Sequence, residues 1–239
     1  MSHFYSDSQK TGEIIEEETL FAEGMTKALP IILAAYLIGS IPVGLIVSKL
    51  GYGRDIRQFG SGNLGATNTF RVLGPLPGAL VFLLDALKGA SAVALASYYF
   101  AETPTLIQQP ENIDFSHALL VVLAAMAVIC GHNWSVFLKF SGGKGIATGA
   151  GALLMLVPKI LLLLLVIWAV ITAGTRYVSL ASVIIAIVFP VTMIITNSHN
   201  IPYILFSLAA SFIVVHKHRS NIKRLLAGEE SKIGERLRS

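Results

Sequence analysis

Charged residues are scarce in this sequence, and cysteine is nearly absent. Lys, Arg, Asp and Glu together make up 13% of the 239 residues, whereas they make up roughly 25% of an ordinary soluble domain. The shortage excludes such a domain, because the uncharged residues form several long apolar runs of the kind that crosses a membrane as helices. Cys130 is the only cysteine, so an intramolecular disulfide and a cysteine metal cluster are excluded too. We therefore predict an all-α, polytopic membrane protein.

Seven apolar runs are predicted to be membrane spans. The stretch 146–173 is too long for one span of about 20 residues, and Pro158 is its natural break, because proline interrupts a helix. Pro42 in the same way predicts a kink in the first span. The predicted spans are residues 29–50, 75–101, 115–131, 146–157, 160–173, 178–196 and 201–216.

Lys and Arg are distributed unevenly between the two sides of this predicted bundle. Nearly all of them fall on one side, which the positive-inside rule makes cytoplasmic, and the N-terminus is then outside and the C-terminus cytoplasmic. Without the break at Pro158 the count is six, and the loop 132–145 and the basic tail fall on opposite faces, so the charges support seven spans. The cytoplasmic regions are residues 51–74, 132–145, 174–177 and 217–239.

Three regions follow from these assignments. Residues 1–28 are acidic and lack the features of a signal peptide, and we predict a disordered extension there. Residues 29–216 form the seven-helix membrane domain. Residues 217–239 form a basic cytoplasmic tail whose first part is expected to contribute to a site, although a basic tail that only binds anionic lipid is the alternative. Nothing in the sequence indicates nucleic acid as a partner.

Residues 141–149, Ser-Gly-Gly-Lys-Gly-Ile-Ala-Thr-Gly, form a candidate phosphate site. Gly142, Gly143 and Gly145 allow positive φ angles, which turn successive backbone N–H groups toward one point. Lys144 adds a cation, and the helix predicted to follow adds a positive N-terminus. The spacing does not fit a Walker A loop. A flexible loop between two spans is the alternative interpretation.

A second polar cluster lies in the first cytoplasmic loop. Its hydroxyl and amide groups bind phosphoryl or hydroxyl oxygens without bringing negative charge, and its arginine is suited to bidentate phosphate binding. A turn-rich linker with a helix cap is the alternative. The cluster consists of Ser61, Asn63, Thr67, Asn68 and Arg71.

Smaller groups of polar residues lie at the ends of other spans. His132 ends the third span and is either a base, a phosphate donor or an interfacial residue. Ser179 and Ser182 share a helical face, with Arg176 at its start, and an arginine that only sets topology is the alternative. His218 and Asn221 lie one helical turn apart in the tail.

Asp85 and Lys88 lie inside the second predicted span. Charges at membrane depth are costly and usually pair within the bundle. At positions i and i+3 these two can pair with each other. Whether the pair is structural or supports a site stays open at this point.

Taken together, these segments resemble the bacterial acyl-phosphate:glycerol-3-phosphate acyltransferase family over about residues 29–230. The acidic extension departs from the family pattern, and so does the stretch after His132, where the family usually has a proline. The resemblance rests on residues 61–68 with Arg71, and on residues 131–148, 177–182 and 218–225.

The resemblance implies transfer of a fatty acyl group from acyl-phosphate to the sn-1 hydroxyl of glycerol 3-phosphate, the first acylation step of bacterial phospholipid synthesis. The product is lysophosphatidic acid, and no cofactor or metal is expected. The implied location is the cytoplasmic (inner) membrane, with the site facing the cytoplasm. The implied partners are the two substrates, the lipid bilayer and the soluble enzyme that makes acyl-phosphate.

The resemblance also implies roles for the polar residues. The glycine-rich loop and the first-loop cluster are expected to bind acyl-phosphate, and the residues of the later segments, with Lys144, to bind glycerol 3-phosphate. The expected catalytic residues are Lys144, His218, Asn221 and Ser179, and the expected substrate-binding residues are Ser61, Asn63, Thr67, Asn68, Arg71, His132, Gly142, Gly143, Gly145, Thr148, Arg176 and Ser182.

The implied reaction needs no covalent nucleophile, because an acyl-phosphate already carries a good leaving group. Catalysis by positioning and charge stabilisation is therefore expected, with the proton passing to His218, to His132 or to the phosphate of the donor. A transporter for a phosphorylated solute is disfavoured, because no inverted repeat is visible and the polar motifs lie on one side. A metal-dependent lipid phosphotransferase is disfavoured because Asp55 is an isolated acid in these loops.

Overall fold

The computed structural model describes residues 26, 28–101 and 113–235. Over these residues the protein is helical and has no β-strand, apart from an isolated bridge between Ser135 and Ser141. Predictions for residues 1–25, 27, 102–112 and 236–239 lie outside the described residues. The helices are α1 (28–40), α2 (Val43–Tyr52), α3 (Ala66–Leu73), α4 (Pro75–Ala101), α5 (Ile113–Asn133), α6 (Ile146–Leu156), α7 (Pro158–Thr175), α8 (Val178–Thr196), α9 (Ile201–Lys217) and α10 (Arg219–Leu226).

Each predicted span coincides with a helix, or in the first case with the pair α1–α2, and the ends agree closely. Among the described residues, four helices are long and apolar enough to cross a membrane: Ala28–Tyr52, taken through its break, and α4, α7 and α8. A fifth is added if α9 and α10, which meet at a 57° bend, form one span. Two apolar helices, His117–Asn133 and Ile146–Leu156, are shorter. The helical membrane architecture is therefore confirmed, whereas the count of seven spans stays a prediction.

Two prolines interrupt helices where the sequence predicts it. Residues 41 and 42 separate α1 from α2, and a helix break leaves backbone carbonyls without helical partners. The Lys88 ammonium donates to the Ile41 carbonyl at 3.1 Å, so a side chain of α4 satisfies this break. Val157 (φ −146°, ψ 66°) ends α6, and Pro158 begins α7 at a position where its missing N–H costs nothing.

Helices α4 and α6 approach each other closely enough for backbone contact. A Cβ atom added to Gly89 would collide with the Thr148 carbonyl, and one added to Gly151 would collide with the Ala86 carbonyl. Small residues permit this separation in membrane helices. The contact fixes the first turn of α6, and therefore the glycine-rich loop before it, relative to the charged residues of α4.

Candidate active site

A polar pocket of about 400 Å³ lies where α3, α6 and α8 begin. It lies among three of the predicted cytoplasmic regions: the first loop, the glycine-rich loop and the basic tail. Folding thus brings together segments that are far apart in the chain. The predicted site residues that line the pocket are Ser61, Asn63, Thr67, Asn68, Arg71, His132, Lys144, Gly145, Ser179, Ser182, His218 and Asn221.

Three helix N-termini open onto this pocket. Helices α3, α6 and α8 follow Gly65, Gly145 and Tyr177, and none of these three residues caps its helix with a side-chain hydrogen bond. First-turn residues of all three helices line the pocket. The N–H groups of a first helical turn lack intrahelical partners and carry partial positive charge, so they attract anions. The pocket is therefore electropositive before any cationic side chain is counted.

The glycine-rich loop differs from the prediction in how it uses its glycines. Of Gly142, Gly143 and Gly145, only Gly145 has a positive φ angle, of 80°. The Gly143 N–H donates to the His132 carbonyl at 3.0 Å, so it does not point into the pocket. A Cβ atom on Gly143 would collide with the His132 ring, and one on Gly142 with the His132 carbonyl. The prediction of a three-glycine concavity was wrong: the first two glycines permit close packing on the end of α5.

Thr148 and Arg176 are also placed differently from the prediction. Thr148 is fully buried and does not line the pocket, because its backbone faces Gly89 of α4. The Arg176 guanidinium is exposed and donates to the Ile233 carbonyl, with Nη2 at 2.9 Å. Arg176 does not line the pocket either. The structure gives it a role in holding the chain after α10.

Lys144 is the cation at the centre of the site. Its Nζ donates to Oδ1 of Asn221 at 2.5 Å. Burial lowers the pKa of Lys144 to about 8, and the nearby Glu230 carboxylate opposes part of this change. The ammonium is therefore charged at neutral pH but loses its proton more easily than an ordinary lysine does.

Glu230 is a site residue that the sequence did not reveal. Its carboxylate is buried and accepts hydrogen bonds from Ser179 Oγ (2.8 Å), Asn221 Nδ2 (2.6 Å) and Arg224 Nε (2.7 Å). Burial alone would raise the pKa of this carboxyl, but the three hydrogen bonds lower it, so Glu230 stays ionised. The available signal was a pair of adjacent acids, Glu229 and Glu230, in a tail whose charged residues are mostly Lys and Arg.

His218 lies at the corner between α9 and α10 and is 3% exposed. Its Nδ1 lies 2.8 Å from the Val214 carbonyl, which can only accept, so Nδ1 carries the proton. Burial, and then the charge of Lys144, lower the pKa of His218 to about 4. The ring is therefore neutral at pH 7, and Nε2 is left as a hydrogen-bond acceptor.

Asn68 organises the first loop from within. Its amide nitrogen donates to the carbonyls of Ile56, Phe59 and Asn63, and its Oδ1 accepts from the Ser61 N–H at 2.9 Å. These bonds use the polar atoms of its side chain. Asn68 lines the pocket wall, but we assign it to shaping the loop rather than to direct substrate contact.

Arg71 joins the first loop to the tail. Its Nη2 donates to the Ser231 carbonyl at 2.7 Å, while its Nε is buried without a hydrogen-bond partner. Burial lowers the pKa of Arg71, although the guanidinium remains charged at any physiological pH. A charged donor with an unused N–H in the wall of an electropositive pocket is suited to binding an anion.

Asp85 and Lys88 pair as the sequence predicts, with 2.8 Å between Oδ1 and Nζ. The same carboxylate lies 3.4 Å from Nδ1 of His132, which lines the pocket. Lys88 also satisfies the helix break at Ile41. The pair is therefore both structural and part of the support beneath the site.

An apolar cavity of about 340 Å³ lies beside the polar pocket, among α6, α7, α8 and α9. The two share Phe82, Gly145, Ile146, Trp168 and Ser182 in their walls. A ligand with a charged end and a hydrocarbon chain can therefore lie across the shared wall, with each part in a matching environment.

A polar pocket with cationic side chains, joined to an apolar cavity in a bundle of apolar helices, is typical of a membrane protein that handles an anion with a hydrocarbon chain. The particular class follows from sequence: a model of the glycerol-3-phosphate acyltransferase family matches residues 29–228, and the chain belongs to this family.

Relatives and a solved structure agree with this assignment. The glycerol-3-phosphate acyltransferase of Desulforamulus reducens is 46% identical over 206 residues, which are 86% of this chain and 95% of that protein. Glycerol-3-phosphate acyltransferase 2 of Moorella thermoacetica is 46% identical over 205 residues, 86% of this chain and 97% of that protein.

One matching solved structure is the glycerol 3-phosphate form of PlsY, an integral membrane glycerol 3-phosphate acyltransferase. It matches with a TM-score of 0.76 at 35% identity and covers 87% of this chain and 96% of that chain. The predicted family is confirmed, and so are the acyltransferase class, the part in lipid biosynthesis and the membrane location.

Proposed function

We propose that this enzyme transfers a fatty acyl group from acyl-phosphate to the sn-1 hydroxyl of glycerol 3-phosphate, giving lysophosphatidic acid and phosphate. The observation that carries the proposal is the shared wall between the electropositive pocket and the apolar cavity. Both substrates carry phosphate, and the donor also carries a hydrocarbon chain. In this arrangement the reacting acyl carbon lies at the boundary, near Gly145.

The two substrates are assigned to different parts of the pocket. The acyl chain lies in the cavity among α6–α9, and the donor phosphate faces the N-termini of α3 and α6. Glycerol 3-phosphate lies on the side of Ser179, His218 and Asn221, where Lys144 contacts Asn221. Holding both reactants in one pocket converts a bimolecular reaction into an effectively intramolecular one.

The acyl transfer is a direct displacement. The sn-1 oxygen forms a bond to the acyl carbon, the bond from that carbon to the phosphate oxygen breaks, and phosphate leaves with the electron pair. His218 Nε2 accepts a hydrogen bond from the attacking hydroxyl. Because the pKa of His218 is about 4, the phosphate that leaves is the stronger base and takes the proton.

The proposal includes the membrane arrangement. Seven spans, with the N-terminus outside and the C-terminus inside, put the loops that line the pocket and the basic tail on the cytoplasmic side of the inner membrane. Support comes from the clustering of these segments around one pocket. A soluble enzyme that makes acyl-phosphate then supplies the donor. Residues 1–28 are proposed to be an extension outside the enzymatic unit.

Purified protein in lipid, given labelled glycerol 3-phosphate, tests the donor. We expect acyl-phosphate to be used far better than acyl-CoA, and the rate to be unchanged by EDTA. The physical reason is that the pocket offers cations and helix N-termini to the donor phosphate and brings no carboxylate cluster for a metal. Preference for acyl-CoA, or loss of activity in EDTA with rescue by Mg²⁺, would contradict the proposal.

A further inference from the structure

Glu230 poses an electrostatic problem for the proposed function. Its ionised carboxylate lies in the wall of a pocket that is to be filled by phosphate groups. Like charges at short range repel strongly where water is excluded. A buried carboxylate in this position is therefore unfavourable for phosphate binding unless its other contacts stabilise the site.

The Glu230 carboxylate accepts hydrogen bonds from three residues of the site. Oε1 accepts from the Ser179 hydroxyl and from the Asn221 amide, while Oε2 accepts from Arg224. Lys144 joins the same network through Asn221 Oδ1. One carboxylate thus connects α8, α10 and the glycine-rich loop, and it touches two residues assigned to glycerol 3-phosphate.

We propose that Glu230 is a positioning residue for glycerol 3-phosphate, which fixes the direction of the hydrogen bonds that Ser179 and Asn221 offer to this substrate. The inference rests on the proposed placement of glycerol 3-phosphate beside these two residues. Glu230 itself touches no reacting atom in this arrangement.

The direction of each hydrogen bond has a chemical consequence. A carboxylate only accepts, so the Ser179 proton points at Glu230 and the lone pairs of its oxygen point away. Ser179 then recognises a hydroxyl group of the glycerol rather than a phosphate oxygen. Asn221 has one N–H committed to Glu230 and its oxygen committed to Lys144, which leaves its second N–H for the substrate.

Glu230 belongs to the wall and does not plug the pocket. About 400 Å³ remain open with the carboxylate in place. The chain on its C-terminal side is held by two further contacts, Arg71 to the Ser231 carbonyl and Arg176 to the Ile233 carbonyl. Both arginines were predicted to bind substrate; Arg71 still lines the pocket with one N–H unused, whereas Arg176 does not line it.

The test compares Glu230→Gln with Glu229→Gln. Glutamine keeps the shape of Glu230, but its NH₂ group must face a donor, either Arg224 or the pair Ser179 and Asn221. We expect the KM for glycerol 3-phosphate to rise about tenfold or more, as for the loss of a charge-assisted hydrogen bond, with the KM for the acyl donor nearly unchanged. Glu229 is exposed, so its variant makes the same change of charge outside the site and should behave as wild type.

A pH profile separates positioning from a purely structural role. The charged groups that act on Lys144 are Glu230, which raises its pKa, and Arg71, Arg224 and Lys217, which lower it. Neutral His218 lies beside it. Removing the Glu230 charge leaves only the opposing cations, so the alkaline limb of activity should move to lower pH in Glu230→Gln and stay in place in Glu229→Gln.

Glu230→Asp keeps the charge but shortens its reach. This variant should raise the KM for glycerol 3-phosphate while leaving the alkaline limb near its wild-type position. If Glu230→Gln fails to fold, the KM of Glu230→Asp tests the positioning role instead. A KM for glycerol 3-phosphate that is unchanged or lowered in the folded variants would overturn the proposal, and a lowered value would show that the carboxylate competes with substrate. The affinity for glycerol 3-phosphate, measured by direct binding without an acyl donor, compares the same variants. This test of Glu230 therefore stays valid even if acyl-phosphate is not the donor.

Discussion

The charge of Lys144 depends on a balance between burial and neighbouring groups. Burial lowers its pKa to about 8, and Glu230 limits the decrease while Arg71, Arg224 and Lys217 add to it. The protonated form is the one that can hold a phosphate. Lys144 is therefore the residue whose state the proposed mechanism makes dependent on pH near neutrality.

Activity should fall as the pH rises through about 8, where Lys144 loses its proton. Lys144→Arg keeps a charge to much higher pH, so its alkaline limb should move upward even if its maximal rate is lower. Lys144→Ala should lose about tenfold to a hundredfold in rate, as for a charge-assisted hydrogen bond, and lose the limb near pH 8. The measurement is kcat/KM against pH, and a limb that is identical in all three proteins would assign it to another group.

Ser179→Ala removes a buried hydroxyl that contacts Glu230 and lines the pocket. The KM for glycerol 3-phosphate should rise with little change in the KM for acyl-phosphate, because the lost group acts on one substrate in both ground and transition states. Ser220→Ala makes the same substitution at an exposed position and serves as the control. Equal kinetics in the two variants would remove Ser179 from the site.

At the scale of helices, the site depends on glycines that permit close approach rather than on loop flexibility. Gly89 and Gly151 bring α4 against α6, and Gly142 and Gly143 bring the glycine-rich loop against the end of α5. These contacts fix the direction of α6, so that its N-terminus faces the pocket. A side chain at any of these four positions would push an element away.

Gly143→Ala should lower both stability and activity. The added methyl group overlaps the His132 ring, so the loop or the ring must move, and such overpacking costs about 1–3 kcal/mol. Gly174→Ala is the matched control, because it lies in a helix with open space around it, and it should leave the free energy of unfolding unchanged or raise it by up to about 1 kcal/mol, since alanine favours a helix more than glycine does. Thermal unfolding in detergent together with kcat/KM measures both effects, and wild-type values for Gly143→Ala would refute the packing argument.

At the scale of the whole molecule, one side of the bundle carries the chemistry. Segments from the first loop, the glycine-rich loop, the start of α8 and the tail meet at the polar pocket, and the apolar cavity extends from it between helices. In the proposed orientation, a water-soluble substrate would enter the pocket from the cytoplasm while the acyl chain stays out of water.

Topology can be measured with single cysteines in a background that carries Cys130→Ala. Labels at Ser61, Ser141 and Ser231 should react only from the cytoplasmic side, and a label at Thr105 only from outside, because Lys and Arg gather in the regions that hold the first three. Reaction of Ser61 and Ser141 from opposite faces would rule out the seven-span arrangement.

The sequence by itself determined the bounds of the helices and the family. Apolar run lengths and the prolines at 42 and 158 are local features, and local features suffice to locate helices. The motifs also identified most of the polar residues that line the pocket, because phosphate binding restricts the choice of side chains.

Only the tertiary structure decided how those residues are used. Glu230 meets Ser179 across 51 positions in sequence, and Lys144 meets Asn221 across 77. The tertiary structure also places Gly142 and Gly143 in packing contacts with the end of α5, and Arg176 in contact with the tail, where substrate contacts were expected. The physical reason is that a hydrogen-bond partner or a close approach depends on which distant segment folds alongside, and neither periodicity nor residue type records that.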